Sequence, residues 1–136
     1  MITRRDAIGS LALFLELIAS EGHAQTPSTS PGPVFKHDLP NLTMDDWEVT
    51  VSWVDYPPGR VGKPHRHPGF TLAYVLEGSV VTKISGQDER TFTVGQMFFE
   101  PPGSVHEVSR NASQTQPARL LAMIFAPKGL PLTSPA

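Results

Sequence analysis

The sequence contains no cysteine. Disulfides, thiolate metal ligands and a cysteine nucleophile are thereby excluded, and any metal must be held by imidazole and oxygen. Charge of one sign is also lacking: 11 Lys and Arg stand against 13 Asp and Glu, for a net charge of −2. No block of like charges occurs, so neither a nucleic-acid stripe nor a polybasic membrane patch is expected. No apolar run is long and uninterrupted enough to span a bilayer. After residue 25, no helical periodicity is sustained enough to compete with a strand pattern.

What is present is one domain's worth of chain, 136 residues, with 39% hydrophobic and 18% charged residues, a balance that favours a packed core over disorder. Fourteen prolines and eleven glycines punctuate it, every proline after Gln25, which suits short strands and tight turns. Residues 1–24 read as an address. Arg4-Arg5 precede the apolar stretch from Ala7 to Leu15, and Gly22-His23-Ala24 offers a small-residue cleavage end. The arginine pair resembles a twin-arginine export signal, which implies a periplasmic or secreted protein. Glu16 interrupts the stretch, and Ile8, Leu11, Leu15 and Ile18 equally fit an amphipathic helix packed on a cytoplasmic domain. Residues 25–40 are expected as a flexible tail, 41–130 as the barrel domain and 131–136 as a C-terminal tail.

Within the domain, Trp47, Val49, Val51 and Trp53 alternate with Glu48, Thr50 and Ser52, the period of a half-buried strand with its apolar face inward. Further strands are expected at 70–76, 79–84, 90–94, 96–100 and 105–109. The run 119–126 is apolar almost throughout, as for a strand covered on both faces. Many short strands at regular spacing give an all-β fold, a closed barrel or jelly roll.

Three of the five histidines sit in two turn-bounded segments. His65 and His67 are two apart, so on an extended strand both rings share one face. Gly59, His65, His67 and Gly78 form one frame, and Gly95, Pro101, Pro102, Gly103, His106 and Asn111 form a second. Their order and spacing resemble the two motifs of the cupin superfamily. The resemblance implies a single-domain cupin β-barrel in which His65, His67 and His106 hold one divalent transition-metal ion: iron, manganese, zinc, nickel or copper. His23 and His37 belong to no motif.

The resemblance breaks at one place. The motif normally has a glutamate four residues after the second histidine, and here that position is Thr71. A centre of three neutral imidazoles plus water or substrate is the expected result. It leaves a divalent ion about one positive charge richer than a carboxylate would, and so favours an anionic or oxygenated small molecule. Such a site suits dioxygenase-, lyase- or isomerase-like chemistry, and equally a non-catalytic binding or sensing module. Glu100 and Tyr74 are the candidate proton handlers, with Glu100 alternatively a partner to a ligand. Arg66 and Glu107 should turn away from the metal by strand alternation, and Glu77 should face solvent. Trp53, Phe70, Tyr74, Met97, Phe98, Phe99, Met123 and Phe125 are expected to supply the apolar lining. The Asn111-Ala112-Ser113 sequon is read as a turn. The apolar final strand, together with the resemblance, implies a homodimer.

Overall fold

A computed structural model describes residues 32–136. The expected export segment and the first part of the tail lie outside the described residues. The elements are β1 (Trp47–Tyr56), β2 (His65–Arg66), β3 (Phe70–Glu77), β4 (Ser79–Ile84), β5 (Arg90–Thr93), β6 (Met97–Glu100), β7 (Val105–Asn111), β8 (Ala118–Pro127) and β9 (Ser134–Pro135). There is no helix among the described residues, hence none long and apolar enough to cross a membrane. One sheet has the order β1-β8-β3-β6 and the other β5-β4-β7-β2-β9, with every pairing antiparallel. This is the all-β jelly roll expected from the sequence. Residues of both sheets meet in the core, where Val75, Phe98 and Leu120 pack against Val80 and Phe92.

The turns explain the strand order. Gly78 at φ 66° lets β3 fold directly into β4, a backbone region that L side chains avoid. Gly95 at φ 84° does the same between β5 and β6. The corner after β1 is held from the other sheet. Asn111, 1% exposed at the end of β7, donates through Nδ2 to the carbonyls of Tyr56, Pro57 and Gln116 and accepts from the Ser113 amide. Its side chain is therefore structural, in keeping with the sequon being a turn. Replacing Asn111 by alanine leaves three carbonyls and an amide without that partner, and is expected to cost about 3 kcal/mol. Urea unfolding measures it, and a loss under about 1 kcal/mol would show that water takes over the role without penalty.

The strand faces differ from expectation in a consistent way. On β1 the apolar set points outward: Val49, Val51 and Trp53 are 51, 55 and 65% exposed, while Ser52, Val54 and Tyr56 face the interior. β8 alternates between buried and less buried residues and is not covered on both sides, so Leu120, Ala122 and Ile124 point in and Leu121, Met123 and Phe125 point out. Beside the core the interior holds a cavity lined largely by small and polar groups, whereas several bulky residues of β1, β3 and β8 serve the outer face. Phe70 is buried there against Phe125, Phe99 and Trp47. The described end of the expected tail reaches the same cluster, since the His37 ring stacks on Phe99 at 4.2 Å.

Candidate metal centre

Two cross-strand pairs build the site, one from each sheet. In the β2–β7 ladder His65 stands directly opposite His106. In the β3–β6 ladder Thr71 stands opposite Glu100. Paired residues project to the same side of their sheet, so both pairs enter the space between the sheets. His67 follows β2 by one residue and joins them. A cavity of about 480 Å³ contains all five side chains, with Val54, Ala73, Leu120, Ala122 and Ile124 as its apolar walls.

Backbone carbonyls set the imidazoles. His65 Nδ1 lies 2.9 Å from the Lys63 carbonyl, and His67 Nδ1 lies 2.7 Å from the Leu132 carbonyl. A carbonyl only accepts, so each Nδ1 carries the donated proton, and in a neutral imidazole this leaves Nε2 as the nitrogen with the lone pair. The segment 131–136, expected as a tail, thus does more than end the domain. It supplies the Leu132 carbonyl, and its strand β9 pairs with β2. Burial lowers the pKa of His65 below its ordinary value; the Lys63 carbonyl opposes this, and the neighbouring His106 and His67 reinforce it. His65 is therefore neutral and able to ligate at neutral pH.

Ligating atoms of His65, His67 and Glu100 all lie within 4.8 Å of one another, a group that could hold a metal ion. His67 Nε2 is 3.6 Å from Glu100 Oε2. His106 is placed differently from the other two histidines. Its Nε2 is 2.6 Å from Thr82 Oγ1, and its Nδ1 is 3.3 Å from the same Glu100 oxygen. Of the three histidines read from the sequence, His65 and His67 fall in this group, and the His106 ring lies 5.0 Å from that of His65 in the same cavity. Glu100, expected as a proton handler or partner, offers a ligating atom in this group, with His106 Nδ1 3.3 Å from its Oε2. The physical reason lies in the register: the carboxylate absent at Thr71 is present on the residue paired with it across the ladder.

The donor set fits a borderline divalent ion, two imidazole nitrogens and one carboxylate. A second observation agrees. Thr71 Oγ1 is buried in the same cavity with no hydrogen-bond partner, and such a group is costly unless something polar meets it.

Tyr74 is not brought to this site. Thr71 and Ala73 line the cavity, and strand alternation puts Tyr74 on the other face of β3. Arg66 turns out to the Gly103 carbonyl, and Glu107 pairs at the surface with Lys83. Sequence reading missed Tyr56, Thr82, Ser109 and the Leu132 carbonyl. Choosing the polar rather than the apolar face of β1 as the inner one would have found Tyr56. The Leu132 carbonyl has no side-chain signal at all.

The antiparallel jelly roll brings imidazoles from one sheet to face a carboxylate from the other, a group that could hold a metal ion. The chain matches the Cupin domain family (Cupin_2) over residues 52–124, more than half its length, and belongs to that family. It is 34% identical over 84 residues to germin-like protein subfamily 2 member 2 of Arabidopsis thaliana, an overlap of 58% of this chain and 37% of that protein. The chain therefore spans little more than a third of the length of the curated relatives it first matches. Among solved structures, the DMSP lyase DddQ from Ruegeria pomeroyi DSS-3 superposes with a TM-score of 0.58 at 20% identity, over 65% of this chain and 43% of that one. A predicted oxalate decarboxylase from Thermotoga maritima gives 0.50 at 26% identity, over 56% and 64%.

Proposed function

We propose that this chain is a mononuclear metal-dependent cupin enzyme that acts on a small anionic or oxygenated molecule, with His65, His67 and Glu100 as the metal ligands. The observation that carries the reading is the convergence of these three ligating side chains from two sheets within 4.8 Å. A bound divalent ion of iron, manganese, zinc, nickel or copper would polarise a substrate oxygen as a Lewis acid. The chain's own residues supply the rest. The Lys63 and Leu132 carbonyls hold the imidazoles in their ligating tautomer. His106, steadied by Thr82, orients the Glu100 carboxylate. Val54, Ala73, Leu120, Ala122 and Ile124 give the reacting groups an apolar wall. Similarity to a predicted oxalate decarboxylase supports lyase-type chemistry on a carboxylic acid.

Elemental analysis of untagged protein tests the site. One equivalent of a transition metal is expected in the natural chain and almost none in His67→Ala. Equal metal content in both would remove the ligand assignment, and the element found would narrow the chemistry. A loaded protein that binds small acids yet turns none over would instead be a binding or sensing module.

We also propose that two copies pair along β1. This strand is ten residues long, has no partner on its outer edge among the described residues, and carries the exposed Val49, Val51 and Trp53 beside it. A free apolar edge of that length invites pairing, and a two-fold axis makes β1 its own antiparallel partner. Light scattering is expected to give a dimer for the natural chain and a monomer for Val51→Lys combined with Trp53→Lys, in which lysines would meet across the axis. A monomeric natural chain would end the idea.

A further inference from the structure

The cavity has a second polar end that the metal ligands do not use. Tyr56, the last residue of β1, is 5% exposed, and Ser109 on β7 is 3% exposed. Their hydroxyl oxygens lie 2.5 Å apart, and both side chains line the cavity that holds His65, His67 and Glu100. Two hydroxyls carry two protons, and their mutual bond uses one. Neither oxygen has another hydrogen-bond partner among the described residues. Whichever group donates to the other, one O–H is left without an acceptor in a buried setting, where an unmet donor is costly. Ser109 lies three residues beyond His106 on the same strand, which separates the two polar ends by about 7–10 Å.

Charge around this end points to the kind of group that completes it. Arg60 and Lys63 both line the cavity, with the Arg60 guanidinium 4.7 Å above the Tyr56 ring. Glu100 is the one carboxylate among the lining residues. Burial raises the Tyr56 pKa above its ordinary value, against the Ser109 hydrogen bond and Arg60, so the phenol remains a donor at neutral pH.

We infer that the Tyr56–Ser109 hydroxyl pair is a second anchor for the substrate, donating a hydrogen bond to an anionic oxygen at the end of the molecule remote from His65, His67 and Glu100. The substrate class is then a small acid with two oxygen-bearing ends joined by a short apolar body, the body lying against Val54, Ala73 and Leu120. This inference rests on the proposed metal-dependent reading for the near end only. The far end is a property of the hydroxyl pair. Tyr56 and Ser109 act as binding and specificity residues, and neither is assigned a chemical step.

Calorimetric titration with matched acids tests it. Succinate, glutarate and adipate are compared with butyrate, valerate and hexanoate, which have the same carbon counts and one carboxylate fewer. At least one diacid is expected to bind metal-loaded protein about 10-fold more tightly than its match, the size of one hydrogen bond to a charged group. Tyr56→Phe combined with Ser109→Ala removes both donors. It is expected to erase that preference while leaving monoacid affinity and metal content unchanged. No diacid preference in the natural chain, or a preference that survives both substitutions, overturns the inference. A preference that is lost in the variant although elemental analysis finds no metal would sustain the anchor and overturn the metal reading instead. Should the double variant fail to fold, Tyr74→Phe leaves Tyr56 as the single tyrosine of the two in the chain. Its near-ultraviolet absorption is then expected to shift with the preferred diacid and not with its match; an unchanged spectrum overturns the anchor.

Discussion

Glu100→Gln is expected to lower metal affinity by about 100-fold or more, beyond the 10–100-fold that follows loss of an outer partner to a ligand. Glutamine keeps the shape of the side chain and removes its charge, in a cavity where Glu100 is 5% exposed and nearest to His67 and His106. His106→Ala and Thr82→Val should fall in the smaller range, because they act on the metal through Glu100. Competition with a chelator measures all three. The opposite ranking, with His106 indispensable and Glu100 dispensable, would reinstate the three-histidine centre that the motif alone suggested. A sharper version exchanges the two facing residues. Thr71 and Glu100 are partners in the ladder, with Cβ atoms about 5 Å apart. Thr71→Glu combined with Glu100→Thr should recover most of the affinity that Glu100→Gln loses. If the exchange leaves the protein as weak as Glu100→Gln, carboxylate position matters more than its presence.

Gly69→Ala is expected to destabilise the fold by about 3 kcal/mol or more, a large share of the 5–15 kcal/mol typical of a domain. A Cβ at this position would sit 1.9 Å from the Phe125 carbonyl oxygen and 2.8 Å from the Trp47 ring. The carbonyl cannot retreat, because Phe125 is paired with Phe70 in the β3–β8 ladder. Relief must therefore come from the Gly69 side and would displace His67, two residues before it. Gly86→Ala is the control. Gly86 has φ 79° and no atom within 4 Å of its added Cβ, so it should pay backbone strain alone, about 1–2 kcal/mol. Equal losses for the two variants in urea unfolding would mean that the clash is absorbed locally. Metal content of Gly69→Ala should fall along with its stability.

Much of this was legible in the residues. Glycine and proline offsets announce themselves because only they tolerate the turns, as Gly78 and Gly95 do at positive φ. Strand bounds followed within one or two residues for most of the chain, since alternation and turns mark them. Facing was the weak point. A period of two says that a strand has two sides and is silent on which is inner, and a preference for burying tryptophan and valine put β1 the wrong way round. The cavity reversed that preference, and on β8 a near-continuous apolar run hid the alternation between its two faces. Glu100 was half visible, as an acid in an apolar place. Its exchange with Thr71 needs the β3–β6 register, which local sequence does not carry. Least visible was the Leu132 carbonyl, a backbone atom 65 residues from the histidine it fixes.

That last contact bears on how the protein is made. A ribosome delivers His67 long before Leu132, and until the later segment has emerged and docked, nothing pins the imbalance between the two ring nitrogens. On the proposed reading of the site, ion capture would accordingly come late, after the chain has closed on itself.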